Sequence, residues 1–133
     1  MTKESDRELL EKAARAYWAD EIGDTVSIEW SESDGAILYA SGENQDHNGR
    51  DQAFCWNPLT DDGDAFRLAC KLQLIIYTPD EDDPAAVVKT GYGRSQEIFT
   101  EEGEDFPAIT RRAIVRAAAS LLQHPAEKGE ANG

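Results

Sequence analysis

The sequence predicts an α+β protein in layers, with an antiparallel sheet of about five strands and three helices in the order α-ββ-α-βββ-α. Two observations predict this class. Apolar residues at helical spacing open the chain, recur in its middle and close it. Between them lie segments of strand-like alternation or continuous apolar runs, joined by short turns. Because such hairpins must bury one face, we expect the helices to cover the sheet.

Two of the three helices are predicted from capping signals at their N-termini. The capping-box pattern of Ser5 and Glu8 predicts a first helix over residues 6–18. The last helix should follow Asp105 as N-cap, because Pro107 suits a first turn, where a missing N–H does little harm. Residues at helical spacing predict its inner face, namely Ile109, Ala113, Ala117 and Leu121.

The middle helix opens with a cluster of aspartates that has two interpretations. Asp61, Asp62 and Asp64 either hold a divalent cation or begin an amphipathic helix of about three turns. A side-chain oxygen of Thr60 or Asp61 can cap such a helix, and acids in the first turn suit the positive end of its dipole. A calcium loop needs ligands at alternate positions and a closing glutamate, whereas Ala, Phe, Arg, Leu, Ala and Cys follow here. We therefore prefer the helix start, with Leu68 buried.

The strands are predicted from period-two alternation and from apolar runs. Residues 25–40 predict a hairpin, whereas residues 41–53, which are rich in Gly, Asn and Asp, predict a loop. The continuous apolar run at 74–77 predicts a central strand that is covered on both faces. A second hairpin is expected from arms at 85–90 and 92–99. The three tryptophans and two of the four tyrosines are assigned mostly to the core by their periodicity, with one or two of them as alternative exposed interface anchors, namely Trp18, Trp30, Trp56, Tyr39 and Tyr92.

The composition excludes several classes of function. The net charge is −14, from 27 acidic against 13 basic residues, which disfavours direct binding to nucleic acid or to an anionic membrane. No apolar run approaches about eighteen residues and the N-terminus is charged throughout, so we expect a cytoplasmic protein. One α+β domain is expected over residues 1–125, with a flexible C-terminal tail over 126–133.

The chain shows no pattern that predicts catalysis or a cofactor. Cys55 and Cys70 do not form a Cys-x-x-Cys motif, and with His47 and His124 they give no plausible spacing for a zinc site. His47 could act as a general base, but the sequence places no nucleophile beside it. We therefore predict a non-enzymatic protein with no catalytic residue, no bound metal and no cofactor.

Two segments resemble the phage ABA sandwich domain family, whose members are small proteins of tailed phages and prophages. The first segment combines a tryptophan, Asn-Pro-Leu and acids that open a helix, and the second is an Arg-rich and Ala-rich helix near the C-terminus. The resemblance implies stacked α and β layers, a phage origin and a bacterial host cell, and it implies no catalytic residue. The matching positions are Trp56, Asn57, Pro58, Leu59, Asp61, Asp62, Asp64, Arg67, Leu68 and Ala69, and then Arg111, Arg112, Ala113, Ile114, Val115, Arg116, Ala117 and Ala118.

The uneven distribution of charge leads to the main functional hypothesis. Residues 29–64 carry nine acids and one base, and residues 80–105 carry nine acids and two bases. With a phage origin, this predicts an inhibitor of a host defence complex, of the anti-CRISPR type, that occupies a basic nucleic-acid-binding protein surface by standing in for phosphates. The predicted partner-binding residues are Glu29, Glu32, Asp34, Asp80, Glu81, Asp82, Asp83, Glu101, Glu102 and Glu104.

A second hypothesis assigns function to the basic helix flank instead. A nucleotide or other small molecule could bind there, although no Gly-rich phosphate loop marks a pocket. The oligomeric state stays open at this stage, a homodimer included. The basic residues of this flank are Arg67, Lys71, Arg111, Arg112 and Arg116.

Overall fold

The computed structural model describes residues 5–19, 21–22, 26–45, 51–90 and 96–123. Within these residues the chain forms an α+β fold. The helices are α1 (Asp6–Tyr17), α2 (Asp62–Leu72) and α3 (Phe106–Gln123). The strands are β1 (Val26–Ser31), β2 (Ala36–Gln45), β3 (Asp51–Trp56), β4 (Ile75–Tyr77), β5 (Ala85–Lys89) and β6 (Ile98–Glu102).

The N-termini of α1 and α3 confirm the capping predictions. The amide of Glu8 donates to Oγ of Ser5 at 3.2 Å, and the amide of Ser5 donates back to the Glu8 carboxylate at 3.0 Å. This backbone hydrogen bond from Ser5 lowers the pKa of Glu8 below its ordinary value. At α3, the amide of Ala108 donates to Oδ1 of Asp105 at 3.2 Å. Both helices therefore begin where side-chain oxygens satisfy their free amides.

Sheet A consists of β1, β2 and β3 in antiparallel order. The predicted hairpin is confirmed, and its turn includes Gly35, whose φ of 60° lies in the left-handed region that favours glycine. The predicted loop over residues 41–53 is wrong in part, because β2 continues to Gln45 and β3 begins at Asp51. The pairing is irregular between Ala40 and Gln45. Backbone pairing extends both strands into a polar segment, whose sequence lacks the apolar alternation that predicts a strand.

Sheet B consists of β4, β5 and β6, also antiparallel, so the prediction of a single sheet of about five strands is corrected to two sheets of three. The run at 74–77 does not form a central strand. Instead β5 is central and β4 lies at an edge, with Ile75 and Tyr77 exposed. The predicted second hairpin is confirmed as the antiparallel pair of β5 and β6, but its second arm is Ile98–Glu102 instead of 92–99, of which residues 92–95 lie outside the described part of the chain. The apolar run at 74–77 indicates a strand, but it does not determine the position of that strand in the sheet, because this depends on which strands pair.

The helices lie between the two sheets. The aromatic rings of Tyr17 and Trp18, at the end of α1, pack against Trp56 and Tyr39 of sheet A. On the other side, α3 packs against both α1 and the inner face of sheet B. Residues around the whole circumference of α3 are buried as a result, in the runs 113–115 and 117–120. Alanines dominate these runs, and their small side chains allow the neighbouring elements to approach closely.

Candidate functional site

The aspartate cluster begins a helix, as the sequence predicts. Asp61 is the N-cap of α2, and its Oδ2 accepts a hydrogen bond from the amide of Asp64 at 2.8 Å. Leu68, in the middle of the helix, is completely buried. The first turn therefore uses its acids for capping and for the helix dipole.

Each carboxylate of the cluster has a different partner within the protein. Asp62 lies 2.7 Å from Arg111 on α3. Asp64 is buried, accepts from the amide of Asn57 at 2.9 Å and pairs with Arg67 at 2.7 Å, and this pairing raises the pKa of Arg67. Among the residues that the structure describes, no three histidine, cysteine or acidic side chains are grouped so that they could hold a metal ion.

Sequence reasoning missed the role of Asn57. Its Oδ1 accepts from the amide of Leu59 at 3.0 Å, and its Nδ2 donates to the carbonyl of Gly35 at 3.2 Å. Asn57 thereby connects the β1–β2 turn with the entrance to α2. The Asn-Pro dipeptide was the available signal, since such dipeptides favour turns.

The basic helix flank is already paired with acids. Every member that the second hypothesis names has a carboxylate within 4 Å, and Arg111 and Arg116 also donate to main-chain carbonyls. The side chains of Arg111 and Arg112 are partly buried, at 18% and 24% exposed. The pairs are Arg67–Asp64 (2.7 Å), Lys71–Glu21 (3.5 Å), Arg111–Asp62 (2.7 Å), Arg112–Asp6 (3.0 Å) and Arg116–Glu101 (2.6 Å).

The predicted partner-binding acids fall into two groups on different sheets. Glu29 is exposed on β1, and Glu32 and Asp34 lie in the turn that follows. Glu32 accepts from Nε1 of Trp30 at 3.2 Å and pairs with Arg7 at 3.3 Å, so its charge is partly neutralised. Asp34 accepts from Oγ of Ser31 at 2.8 Å. This group is small and partly engaged in local contacts.

The second group, which we call the acidic corner, lies at one end of sheet B. Ala85 pairs with Glu102, and the amide of Gly103 donates to the carbonyl of Pro84 at 3.5 Å, so the end of β6 lies beside the turn that precedes β5. No ion pair between described residues involves a member of this corner. The acidic corner consists of Asp80, Glu81, Asp82, Asp83, Glu102 and Glu104, all of them exposed.

Asp80 has a structural role within the acidic corner. Its Oδ1 accepts from the amides of Asp82 and Asp83, at 2.9 and 2.8 Å. These bonds hold the turn in one conformation, so the remaining carboxylates project from an ordered loop. Glu101 is excluded from the corner, because it lies on the inner face of sheet B and pairs with Arg116 at 2.6 Å.

The outer face of sheet B adds an exposed apolar surface to the same sheet. The register places Ile75, Lys89 and Ile98 in one row across the sheet. Ile98 is 59% exposed and Tyr77 is 52% exposed. Nζ of Lys89 lies 5.1 Å from the centre of the Tyr77 ring. Sequence reasoning missed this surface, because it assigned the run at 74–77 to a buried strand.

The remaining candidates divide between the core and the undescribed part of the chain. Trp18 and Trp56 are buried, and Trp30 is half-buried against the core, which agrees with their predicted placement. Cys55 and Cys70 are free and exposed. His47, Tyr92 and the predicted tail over 126–133 lie outside the described residues.

Comparison with protein-family models, with curated proteins and with solved structures finds no match to this chain. Within the part of the chain that the structure covers, no helix combines the length and the apolar character needed to cross a membrane.

Proposed function

We propose that this chain is a small acidic, phage-encoded binding protein without enzymatic activity. It inhibits a host defence complex, of the anti-CRISPR type, by occupying a basic protein surface that normally binds nucleic acid. The acidic corner is the principal contact. The phage origin and the choice of a defence complex rest on the resemblance of the segments around Trp56 and Arg111 to a phage family.

The partition of charge is the observation that supports this proposal. Ion pairs with Arg67, Arg111 and Arg112 use acids of the helices, whereas the acidic corner has no such partner among described residues. Its carboxylates therefore keep their charge, and their field extends into solvent. A concentrated patch of one sign steers a partner of opposite charge and accelerates association by about 10- to 1,000-fold.

The apolar outer face of sheet B strengthens the proposal. Charge at an exposed surface contributes more to the rate of encounter than to the lifetime of a complex. A lasting complex also needs a desolvated contact, in which aromatic and large aliphatic side chains are typical. Tyr77 and Ile98 supply such side chains on the outer face of the same sheet. Tyr77 precedes the turn at 80–83, and Ile98 lies at the end of β6 away from Glu102.

The structure gives less support to a nucleotide-binding function on the basic helix flank. A phosphate would have to displace the carboxylates that already lie 2.6–3.5 Å from these bases. Displacement would leave Asp64 and Glu101 buried or half-buried without a counter-charge, which is costly. We therefore prefer the binding of a basic protein.

Affinity purification of the tagged chain from a defence-bearing bacterium, followed by competition, tests the proposal. The expected result is a stoichiometric complex with a basic, nucleic-acid-binding protein. The chain should displace nucleic acid from that protein, and the complex should weaken steeply as salt rises, since exposed charges are screened over about 8–10 Å. A complex that is equally strong at high salt, or that still binds its nucleic acid, contradicts the proposal.

A charge-reversal variant locates the contact. Glu81, Asp82 and Asp83 are replaced by lysine, while Asp80 is retained because it orders the turn. Association should slow by about tenfold or more without loss of folding.

The matched control reverses Glu29, Glu32 and Asp34, which changes the net charge by the same amount on sheet A. An equal effect of both variants would mean that net charge acts without a defined site, and the acidic corner would lose its role.

A further inference from the structure

An open apolar groove lies where α2, α3 and the end of β4 meet. Its volume is about 370 Å³, near the lower limit of ligand sites, which occupy about 300–1,000 Å³. One wall is Phe66, which is 67% exposed although it belongs to the middle of α2. The side chains that line the groove are Asp62, Ala65, Phe66, Ile76, Thr78, Pro79, Phe106, Pro107, Thr110, Arg111 and Ile114.

The lining of the groove favours an apolar occupant. Oγ1 of Thr110 donates to the carbonyl of Phe106 at 2.7 Å. The guanidinium of Arg111 is bonded to the carbonyl of Leu59 and to Asp62. These polar groups are already satisfied within the protein, and most of the remaining lining is aliphatic or aromatic carbon. A bulky apolar side chain can therefore enter without leaving them unpaired.

On each of its three sides, an acidic residue lines the groove or neighbours a lining residue in the chain. Asp62 belongs to the α2 side and its carboxylate is 81% exposed. Asp80 follows Pro79 on the β4 side, and Asp105 precedes Phe106 on the α3 side. Arg111 is the basic residue of the lining, and it is paired with Asp62. The helix N-termini at the groove are capped by the protein's own aspartates, so the rim favours cations around the apolar centre.

We propose that this groove binds one bulky apolar side chain of a lysine- or arginine-rich protein segment. The inference rests on the proposed function and deepens it, because the groove provides an apolar anchor point next to the acidic corner. A second copy of the chain fits the site poorly. Its net charge is −14, and it would bring acids towards an acidic rim.

Two fluorescein-labelled peptides test the inference directly on the whole protein. One contains a phenylalanine flanked on both sides by lysines, and the other has serine in place of the phenylalanine. Burial of the ring predicts that the phenylalanine peptide binds about tenfold more tightly or better, as measured by fluorescence anisotropy.

Two variants of the protein ask whether the groove is responsible. Phe66→Ala removes a wall and Thr78→Trp fills the space, and both positions are exposed, so folding should be retained. Each should abolish the preference for phenylalanine and leave the weaker binding of the serine peptide unchanged. Phe54→Ala is the matched control, since it removes an exposed aromatic side chain from β3 of sheet A and should leave the preference intact. Thermal unfolding monitored by circular dichroism verifies that each variant is folded.

The outcomes separate this inference from the proposed function. Equal binding of the two peptides, or no binding of either below about 1 mM, overturns the groove proposal and leaves the acidic corner untouched. Loss of the preference in Phe54→Ala but not in Phe66→Ala moves the apolar contact to sheet A and also overturns it. Self-association that is lost in Phe66→Ala would identify a second copy as the occupant. A retained preference, with no effect of charge reversal on partner capture, supports the groove and rejects the proposed function.

Discussion

Nη1 of Arg111 lies 2.7 Å from Oδ1 of Asp62, and this contact joins α3 to the first turn of α2. Nε of the same guanidinium donates to the carbonyl of Leu59 at 2.8 Å. The two ends of the ion pair differ in environment, because the arginine side chain is 18% exposed and the aspartate is 81% exposed. The half-buried carbonyl of Leu59 therefore depends on Arg111 for its hydrogen bond, whereas the exposed carboxylate of Asp62 remains accessible to water.

Arg111→Ala should therefore destabilise the protein more than Asp62→Asn. Removing the arginine leaves the Leu59 carbonyl without this donor, at a cost of about 1–3 kcal/mol. Removing the exposed charge of Asp62 should cost less than about 1 kcal/mol. Urea unfolding of both variants measures the difference, and equal losses would assign the stabilisation to the ion pair instead of the carbonyl contact.

Leu68→Ala should lower the free energy of unfolding by about 2–5 kcal/mol, because the side chain is completely buried in the core. Phe66→Ala, two residues away on the same helix, should cost far less, since that ring is mostly exposed. The pair controls for helix propensity by placing alanine at neighbouring positions of α2. Similar losses in chemical denaturation would contradict the observed orientation of the helix.

Gly103→Ala should destabilise the junction between β6 and α3. A Cβ atom at Gly103 would lie 2.9 Å from Cγ2 of Ile109, which is too close for van der Waals contact, and such overpacking costs about 1–3 kcal/mol. The comparison is Gly63→Ala in the first turn of α2. There a Cβ would lie 3.2 Å from the capping Oδ2 of Asp61 and 3.3 Å from the guanidinium of Arg67. A small shift of these side chains relieves both contacts, while helix propensity favours alanine by up to about 1 kcal/mol. Melting temperatures should shift in opposite directions.

The capping box of α1 should make part of the stability depend on acid pH. The folded-state pKa of Glu8 lies below its ordinary value of 4.5, so folding favours the ionised form. This contribution is complete above about pH 4.5, and it is lost as the pH falls through the folded-state pKa. The stability difference between wild type and Glu8→Gln should therefore shrink between neutral and strongly acid pH.

Ser5→Ala provides the control for this pH dependence. The main cause of the shift is the backbone amide of Ser5, which alanine retains. Most of the pH-dependent difference should therefore survive in this background. Its disappearance would assign the effect to the Ser5 hydroxyl.

The sequence predicted local structure well and the arrangement of strands poorly. The helices were predictable because capping residues such as Ser5, Asp61 and Asp105 act within a few residues of their targets. The division into two sheets was not, because Ile75 and Ile76 look equally suited to a core although only Ile76 packs against it. The pairing of strands depends on contacts between segments that are distant in the chain, and the apolar periodicity of one segment carries no information about them.

The site shows the same division between local and distant information. The acidic residues at 80–83 predicted an exposed turn, and their number follows directly from the sequence. The sequence could not predict which charges are neutralised. Glu101 and Glu102 are neighbours in the chain, but only Glu101 forms an ion pair with Arg116. The groove beside Phe66 was also unpredictable, because its walls come from three segments that only the tertiary fold brings together.

Within the described residues, the edge strands of the two three-stranded sheets are β1, β3, β4 and β6. Unpaired edges invite stacking into fibrils, and charged side chains near them act as gatekeepers. The acidic corner borders the ends of β5 and β6, so the carboxylates that attract a basic partner also hold identical molecules apart. As the pH approaches the isoelectric point of about 4.4, this repulsion fades while Tyr77 and Ile98 remain on the surface. The same carboxylates therefore control both partner recognition and the solubility of the protein. We expect the protein to aggregate in mildly acidic solution before it unfolds.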